Sequence, residues 1–300
     1  MRLLTRSDFD GLACATILKD IGIVDEVKFV HPKDLQDGNV EVSSNDVLAN
    51  VPYAEGCGIW FDHHSSENNR LGEFEFEGLV EYIDSCAHVI YNYYKNQYDL
   101  SKFDEMIVAV DKVDSAKLTT DEIQNPEKWV LLGFIADPRT GLGRFREFTI
   151  SNYQLMEELF EECRKKTIDE ILDMPNVKER IEIYNEHKEL FKEMLLNHTE
   201  VFGKVIVTDL RGVDTIYAGN RFMIYSLFPH QNISIWIVDG KDKTICSIAV
   251  GYSILNRTAV ADVGEILLSY GGGGHKQVGT CQVNQEECKS VVKEIIEKLQ

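Results

Sequence analysis

The stretch "RLLTRSDFDGLACATILKD" (residues 2–20) decides how the chain is read. Arg2–Thr5 is a short apolar run suited to a buried strand. Gly11 to Ile21 reads as a buried helix, with Leu12, Ala15, Ile17 and Leu18 apolar and few polar breaks. The junction "TRSDFDG" (5–11) sets two aspartates one residue apart at the strand's end. Strand followed directly by helix is how a mainly parallel α/β sheet begins. The pattern recurs: "DEVKFVHP" (25–32), "DVLANVP" (46–52) and "CGIWFDHH" (57–64) read as three more strands, each ending in polar or charged residues. In open α/β sheets ligands bind outside the carboxyl ends of the strands. Asp8/Asp10, His31, Asn50 and Asp62/His63/His64 all fall at such ends.

Beyond Cys86 the pattern is mostly helical to about residue 166, including "HVIYNYYKNQY" (88–98) and "FDEMIVAVDKVDSA" (103–116). "NVKERIEIYNEHKELFKEMLLN" (176–197) spaces Val177, Ile181, Tyr184, Phe191 and Leu195 as one helical face, the rest being dense with Glu and Lys. From residue 201 strand patterns return at "KVIVTD", "ISIWIVDG" and "TICSIAVGYS", with helices near 221–227, 262–269 and 286–299. The expected architecture is α/β: a mainly parallel N-terminal sheet flanked by helices over 1–175, a linker helix over 176–200, and a smaller α/β domain over 201–300, with a cleft between the two domains.

Composition narrows the function classes. Hydrophobic residues make up 44% of the chain and charged residues 27%, the balance of a globular fold rather than a disordered one. No apolar run is long enough for a bilayer span, and a strand starting at Arg2 leaves no room for a leader. The net charge is −19, and residues 201–300 contain ten basic and ten acidic residues, so the whole excess lies in 1–200. Long nucleic acids are bound mainly through basic residues, so a DNA or RNA tract is disfavoured as partner. A small phosphorylated ligand held by local arginines, backbone N–H groups and metal is not. The seven cysteines have no C-x-x-C spacing, which argues against a disulfide framework or zinc cluster and for a reducing cytoplasm.

Four motifs carry chemistry. The aspartates of "SDFDG" offer hard oxygen ligands of the kind Mn²⁺ or Mg²⁺ take, although Asp-Gly is also a common turn pair. In "WFDHHSSENNR" one histidine can ligate a metal while Asp62 orients it, and the other can donate a proton or contact phosphate; Arg70 follows as a candidate phosphate clamp. "AVDKVDSA" adds Asp111 and Asp114. "SYGGGGHKQVG" (269–279) lets successive N–H groups converge on an anion, with His275 and Lys276 following, and Arg257 in "LNRTAV" is a further phosphate contact. The bland alternative for the glycine run is a flexible linker.

In this order and at these separations, "SDFDG", "FDHH", "VDKVD" and "GGGGHKQVG" resemble the DHH phosphoesterase superfamily, specifically the subfamily with a DHH-associated C-terminal domain: RecJ-type nucleases, oligoribonuclease-like and exopolyphosphatase-related proteins. The resemblance spans nearly the whole chain. It implies a metal-binding N-terminal domain with Mn²⁺ (or Mg²⁺) on Asp8, Asp10, His63 and Asp111, Asp114 being the fallback for the last. Asp62 and His64 would orient ligands and meet the phosphate. Arg257, Gly272, Gly273, Gly274 and His275 would bind substrate.

Two departures from the family pattern matter. Arg6 stands where the first motif usually has histidine, and Asn50 where a metal-bridging aspartate is expected. Guanidinium has no lone pair for a metal. Together the changes add about two units of positive charge, the charge of one divalent ion. The expectation is therefore one metal, on Asp10, His63 and Asp111, with Arg6 holding phosphate in place of a second ion and Asp8 either bridging to Arg6 or completing the metal shell. His31 is a substitute ligand to consider. The function expected is a cytoplasmic, metal-dependent hydrolase of phosphate esters or anhydrides acting on a small nucleotide, very short oligonucleotide or short polyphosphate, with a homodimer allowed. The alternative is a binding or scaffold protein whose catalysis is lost.

Overall fold

A computed structural model describes residues 1–64, 74–145 and 147–300. The chain forms two compact units, Met1–Lys117 with Pro126–Ile183, and Leu118–Asn125 with Tyr184–Gln300.

The first unit holds a five-stranded, wholly parallel sheet: β1 (Arg2–Thr5), β2 (Glu26–Phe29), β3 (Asp46–Ala49), β4 (Ile59–Asp62) and β5 (Gly78–Val80), in the order β2-β1-β3-β4-β5. Strand β5, ending in Leu79 and Val80, lies beyond the four strands read from sequence. Helix α1 (Phe9–Asp20) is buried continuously from Phe9 to Leu18, which is why its sequence shows no polar face. It packs on the helices Cys86–Tyr94, Asp104–Asp114, Lys128–Ala136 and Asn152–Glu162. The turn into α1 is tight enough that a Cβ at Gly11 would lie 1.9 Å from the Arg6 carbonyl oxygen. Only glycine lets the helix begin against that carbonyl.

The second unit contains a mixed six-stranded sheet of β6 (Thr199–Phe202), β7 (Val205–Asp209), β8 (Ile233–Asp239), β9 (Ile245–Tyr252), β10 (Gly273–His275) and β11 (Val278–Asn284), ordered β10-β11-β9-β8-β7-β6. Only β7 and β8 run parallel. Ile235, Ile248, Val263, Leu267 and Ile295 are among the side chains that form its core.

The helix expected as a linker is Pro175–Asn197, and the division between units falls inside it, not at its ends. Leu118–Asn125 joins the second unit because Asn220 Nδ2 donates to the Ile123 carbonyl (3.2 Å) and Lys188 Nζ to Asn125 Oδ1 (2.8 Å). The cysteine spacing predicts unpaired thiols throughout; instead Cys246 on β9 and Cys288 at the start of the last helix form a disulfide. They lie 42 residues apart, so no local spacing announces the pair. Cys14, Cys57, Cys86, Cys163 and Cys281 are free. Among the described residues no helix is long and apolar enough to cross a membrane.

Candidate metal centre

The parallel strands deliver their carboxyl ends to one edge of the first sheet, and the D-x-D and Asp-His-His motifs meet there. Asp10, in the first turn of α1, is 1% exposed. Its Oδ1 accepts the N–H of Ala87 (2.8 Å) and its Oδ2 that of Cys86 (3.0 Å). These amides open the helix Cys86–Tyr94, so a helix N-terminus holds the carboxylate. Burial still dominates: together with the neighbouring Asp8 charge it pushes the Asp10 carboxyl up to about 7.

His63 follows β4. Its Nδ1 lies 3.1 Å from the Ile83 carbonyl oxygen, which can only accept, so that nitrogen carries the ring proton when the imidazole is neutral. Nε2 then presents its lone pair to Asp114 Oδ2 at 3.3 Å and Asp10 Oδ2 at 3.7 Å. It is buried and has no hydrogen-bond partner among the described residues. A lone pair between two carboxylate oxygens is repulsive unless a proton or a metal cation sits among them. Asp10, His63 and Asp114 can each offer one atom to such a cation, all within 4.8 Å of one another. A carbonyl fixing the tautomer from behind is the usual support for a ligating histidine.

This geometry changes the expected ligand set. Asp111 is not with His63: its Oδ1 accepts from Ser85 Oγ (2.7 Å) and its Oδ2 pairs with His88 Nδ1 (2.7 Å). The carboxylate one turn further along the helix, Asp114, takes the place beside His63, and burial with the Asp10 charge raises it to about 7. Asp8, the N-cap of α1, is also committed. Its Oδ1 accepts from Gly11 N (3.0 Å) and Asn50 Nδ2 (3.1 Å), and its Oδ2 is 3.0 Å from Arg6 Nε. Of the two roles expected for Asp8, the structure draws the ion pair with Arg6. Asn50 reaches it from a left-handed backbone conformation (φ 56°), one that asparagine tolerates better than most residues.

Asp62 is 1% exposed, and its Oδ1 accepts from the His63 backbone N–H (2.9 Å) and from His64 Nδ1 (2.8 Å). Burial opposes a charge on His64, yet the Asp62 hydrogen bond and the charges of Asp62, Asp114 and Asp10 outweigh it, raising the imidazole to about 9. The carboxylates around it therefore favour the protonated imidazole. His31 is occupied as a helix cap, its Nδ1 accepting from Lys33 N (3.2 Å). Arg70 lies outside the described residues.

In the second unit the glycine run behaves differently from expectation. Gly271 N–H donates to the Leu268 carbonyl (3.1 Å) and Gly272 N–H to that of Leu267 (3.0 Å), closing the helix Val263–Leu268 with Gly271 left-handed (φ 73°). Those amides are spent, so Gly272 cannot serve an anion through its N–H. A Cβ at Gly274 would lie 2.2 Å from the Val278 carbonyl oxygen, so that glycine allows the close β10–β11 pairing. Gly273 has open space on its Cβ side, and His275 is exposed. Arg257, also exposed, donates from Nε to the Ile254 carbonyl (3.0 Å).

The raised carboxyls imply a pH signature. Asp10 and Asp114 titrate near 7 in the folded protein against 3.8 as the unperturbed value. Between these values the folded state binds more protons than the unfolded one, so stability falls as pH rises. The melting temperature of chelator-treated protein should drop between pH 5 and pH 8, and Mn²⁺ should raise it more at pH 8 than at pH 5. A melting temperature that climbs over that range in chelator, equally in wild type and Asp114→Asn, would contradict this.

No family model matches the chain, and no curated protein does. Solved structures do. A pGpG-specific phosphodiesterase, PggH from Vibrio cholerae, is 44% identical over 99% of this chain and 98% of that one, with a TM-score of 0.87. RecJ of Thermus thermophilus in complex with Mn²⁺ matches 99% of this chain and 51% of its own at 13% identity and TM-score 0.54. CDC45 of Entamoeba histolytica matches 99% and 95% at 10% identity and TM-score 0.52. The last two likenesses concern the fold alone.

Proposed function

The chain belongs to the DHH phosphoesterase superfamily, and from that premise we propose that it is a metal-dependent phosphodiesterase cleaving linear dinucleotides of the pGpG type. Water attacks the internal phosphorus, the P–O3′ bond breaks, and two molecules of GMP leave. The observation that carries metal dependence is the buried His63 Nε2, which faces two carboxylates and has no hydrogen-bond partner among the described residues. The likeness to a pGpG-specific enzyme supports the substrate, and so does the −19 charge, which suits a short ligand better than a polymer.

In this reading Asp10, His63 and Asp114 hold the ion. A mixed oxygen and imidazole donor set favours Mn²⁺ over Mg²⁺. When bound, the ion neutralises phosphoryl charge and acidifies the attacking water. Asp62 fixes both histidines, and the His64 imidazolium contacts the phosphate and gives its proton to the departing 3′ oxygen. Arg6, paired with Asp8, supplies positive charge where other members of the family are expected to place a second ion. We assign substrate contacts in the second unit to Arg257, Gly273 and His275.

The commitment of Asp8 to Arg6 and Asn50 favours a second reading, a nucleotide-binding scaffold without turnover. Incubation with pGpG and Mn²⁺, or with chelator, decides between them. Two GMP per pGpG with Mn²⁺ and none with chelator is the expected result. Retained pGpG binding without any product would favour the scaffold.

A further inference from the structure

One cation at this site belongs to none of the motifs. Arg139, in "IADPRTG" (135–141), lines the same pocket as Asp8, Asp10, Asp114 and Asp137, with Phe9 and Val113 among its apolar walls. Asp137 is 5% exposed, whereas the Arg139 side chain is about half exposed (49%). The buried carboxylate grips the arginine through three hydrogen bonds: Oδ1 accepts both its backbone N–H (2.8 Å) and its Nε (2.8 Å), and Oδ2 accepts from Nε at 3.1 Å. This fixes the guanidinium at the pocket while leaving it open to solvent. Burial works against its charge, but Asp137, and beyond it Asp8 and Asp114, hold the charge in place.

We propose that Arg139 is a catalytic residue of this site, its guanidinium binding the scissile phosphate, and that Asp137 is the positioning residue that aims it. The proposal rests on the reading of the site as a phosphodiesterase centre. Phosphoryl oxygens gain negative charge as water attacks, and a fixed planar donor set matches them in geometry and sign. Asp8 already has Arg6 as its ion partner at 3.0 Å, and Asp10 and Asp114 face His63. Arg139, secured by its own carboxylate, is therefore the cation here that does not need those three groups for its placement.

The test uses the full chain and the variants Arg139→Gln, Arg139→Lys and Asp137→Asn, with three readouts: Mn²⁺ affinity, affinity of the Mn²⁺-loaded protein for inorganic phosphate, and pGpG kinetics. Arg139→Gln should bind Mn²⁺ within about 3-fold of wild type, bind phosphate at least about 10-fold more weakly, and lose about 10²–10³ in kcat. Arg139→Lys should recover part of both losses, and Asp137→Asn should fall between wild type and Arg139→Gln. Phosphate affinity and kcat unchanged in Arg139→Gln would overturn the proposal. So would equal loss of Mn²⁺ binding in the Gln and Lys variants, which marks a counter-ion needed only for structure. If the wild type releases no GMP from pGpG, the phosphodiesterase reading fails while the phosphate measurement still decides what Arg139 binds.

Discussion

Asp10→Asn is expected to weaken Mn²⁺ binding by about 10²-fold or more and to lower kcat/KM on pGpG by about 10³-fold or more, with the fold retained. The carboxylate is fully buried, and both its oxygens accept amide N–H bonds from the start of the helix Cys86–Tyr94. An asparagine there has one accepting oxygen, and its NH₂ group must face an N–H donor. It also lacks the negative charge that a divalent cation requires. The buried charge is itself costly in the metal-free protein, as the rise of Asp10 to about 7 indicates, so its removal relieves part of what the lost hydrogen bond costs. Calorimetric Mn²⁺ titration separates the two effects, with circular dichroism reporting the fold. An Asp10→Asn protein that binds Mn²⁺ like wild type would show that the cation lies elsewhere.

Asp114→Asn and Asp111→Asn form the second pair, and their outcomes should diverge. Asp114 faces His63 Nε2 at 3.3 Å, so its amide variant should lose Mn²⁺ and activity to a similar extent as Asp10→Asn. Asp111 ties Ser85 and His88 together at 2.7 Å each. Its amide variant should keep one Mn²⁺ per chain while losing about 1–3 kcal/mol of stability, the cost of breaking hydrogen bonds to a charged group. Urea unfolding and metal titration of both proteins check this. The reverse pattern, with Mn²⁺ lost in Asp111→Asn and kept in Asp114→Asn, would restore the ligand expected from the motif.

That pair also marks what the sequence could reveal. The D-x-D and Asp-His-His motifs are legible because parallel strands must end at one edge of a sheet, whatever the loops between them do. Asp111 and Asp114 sit three residues apart on one helix, and which of them meets His63 depends on how that helix packs, a long-range matter. The glycine run departs from its motif reading for a different reason. A glycine just after a helix is a common C-terminal stop, and Gly271 and Gly272 do that before any ligand is considered. Arg139 gives only a faint signal, an aspartate before proline with arginine next, the pattern of a capped turn. The Cys246–Cys288 pair gives none, since its partners meet only once β9 and the last helix are packed.

The central claim is a single metal held by Asp10, His63 and Asp114, with Arg6 standing where a second ion would otherwise be. Anomalous diffraction at the manganese edge from crystals grown in Mn²⁺ tests it most directly. One strong peak touching His63 Nε2 and the carboxylates of Asp10 and Asp114, with Arg6 still on Asp8, is the result expected. Two fully occupied ions about 3.5–4 Å apart, with Asp8 released from Arg6 to ligate them, would contradict it.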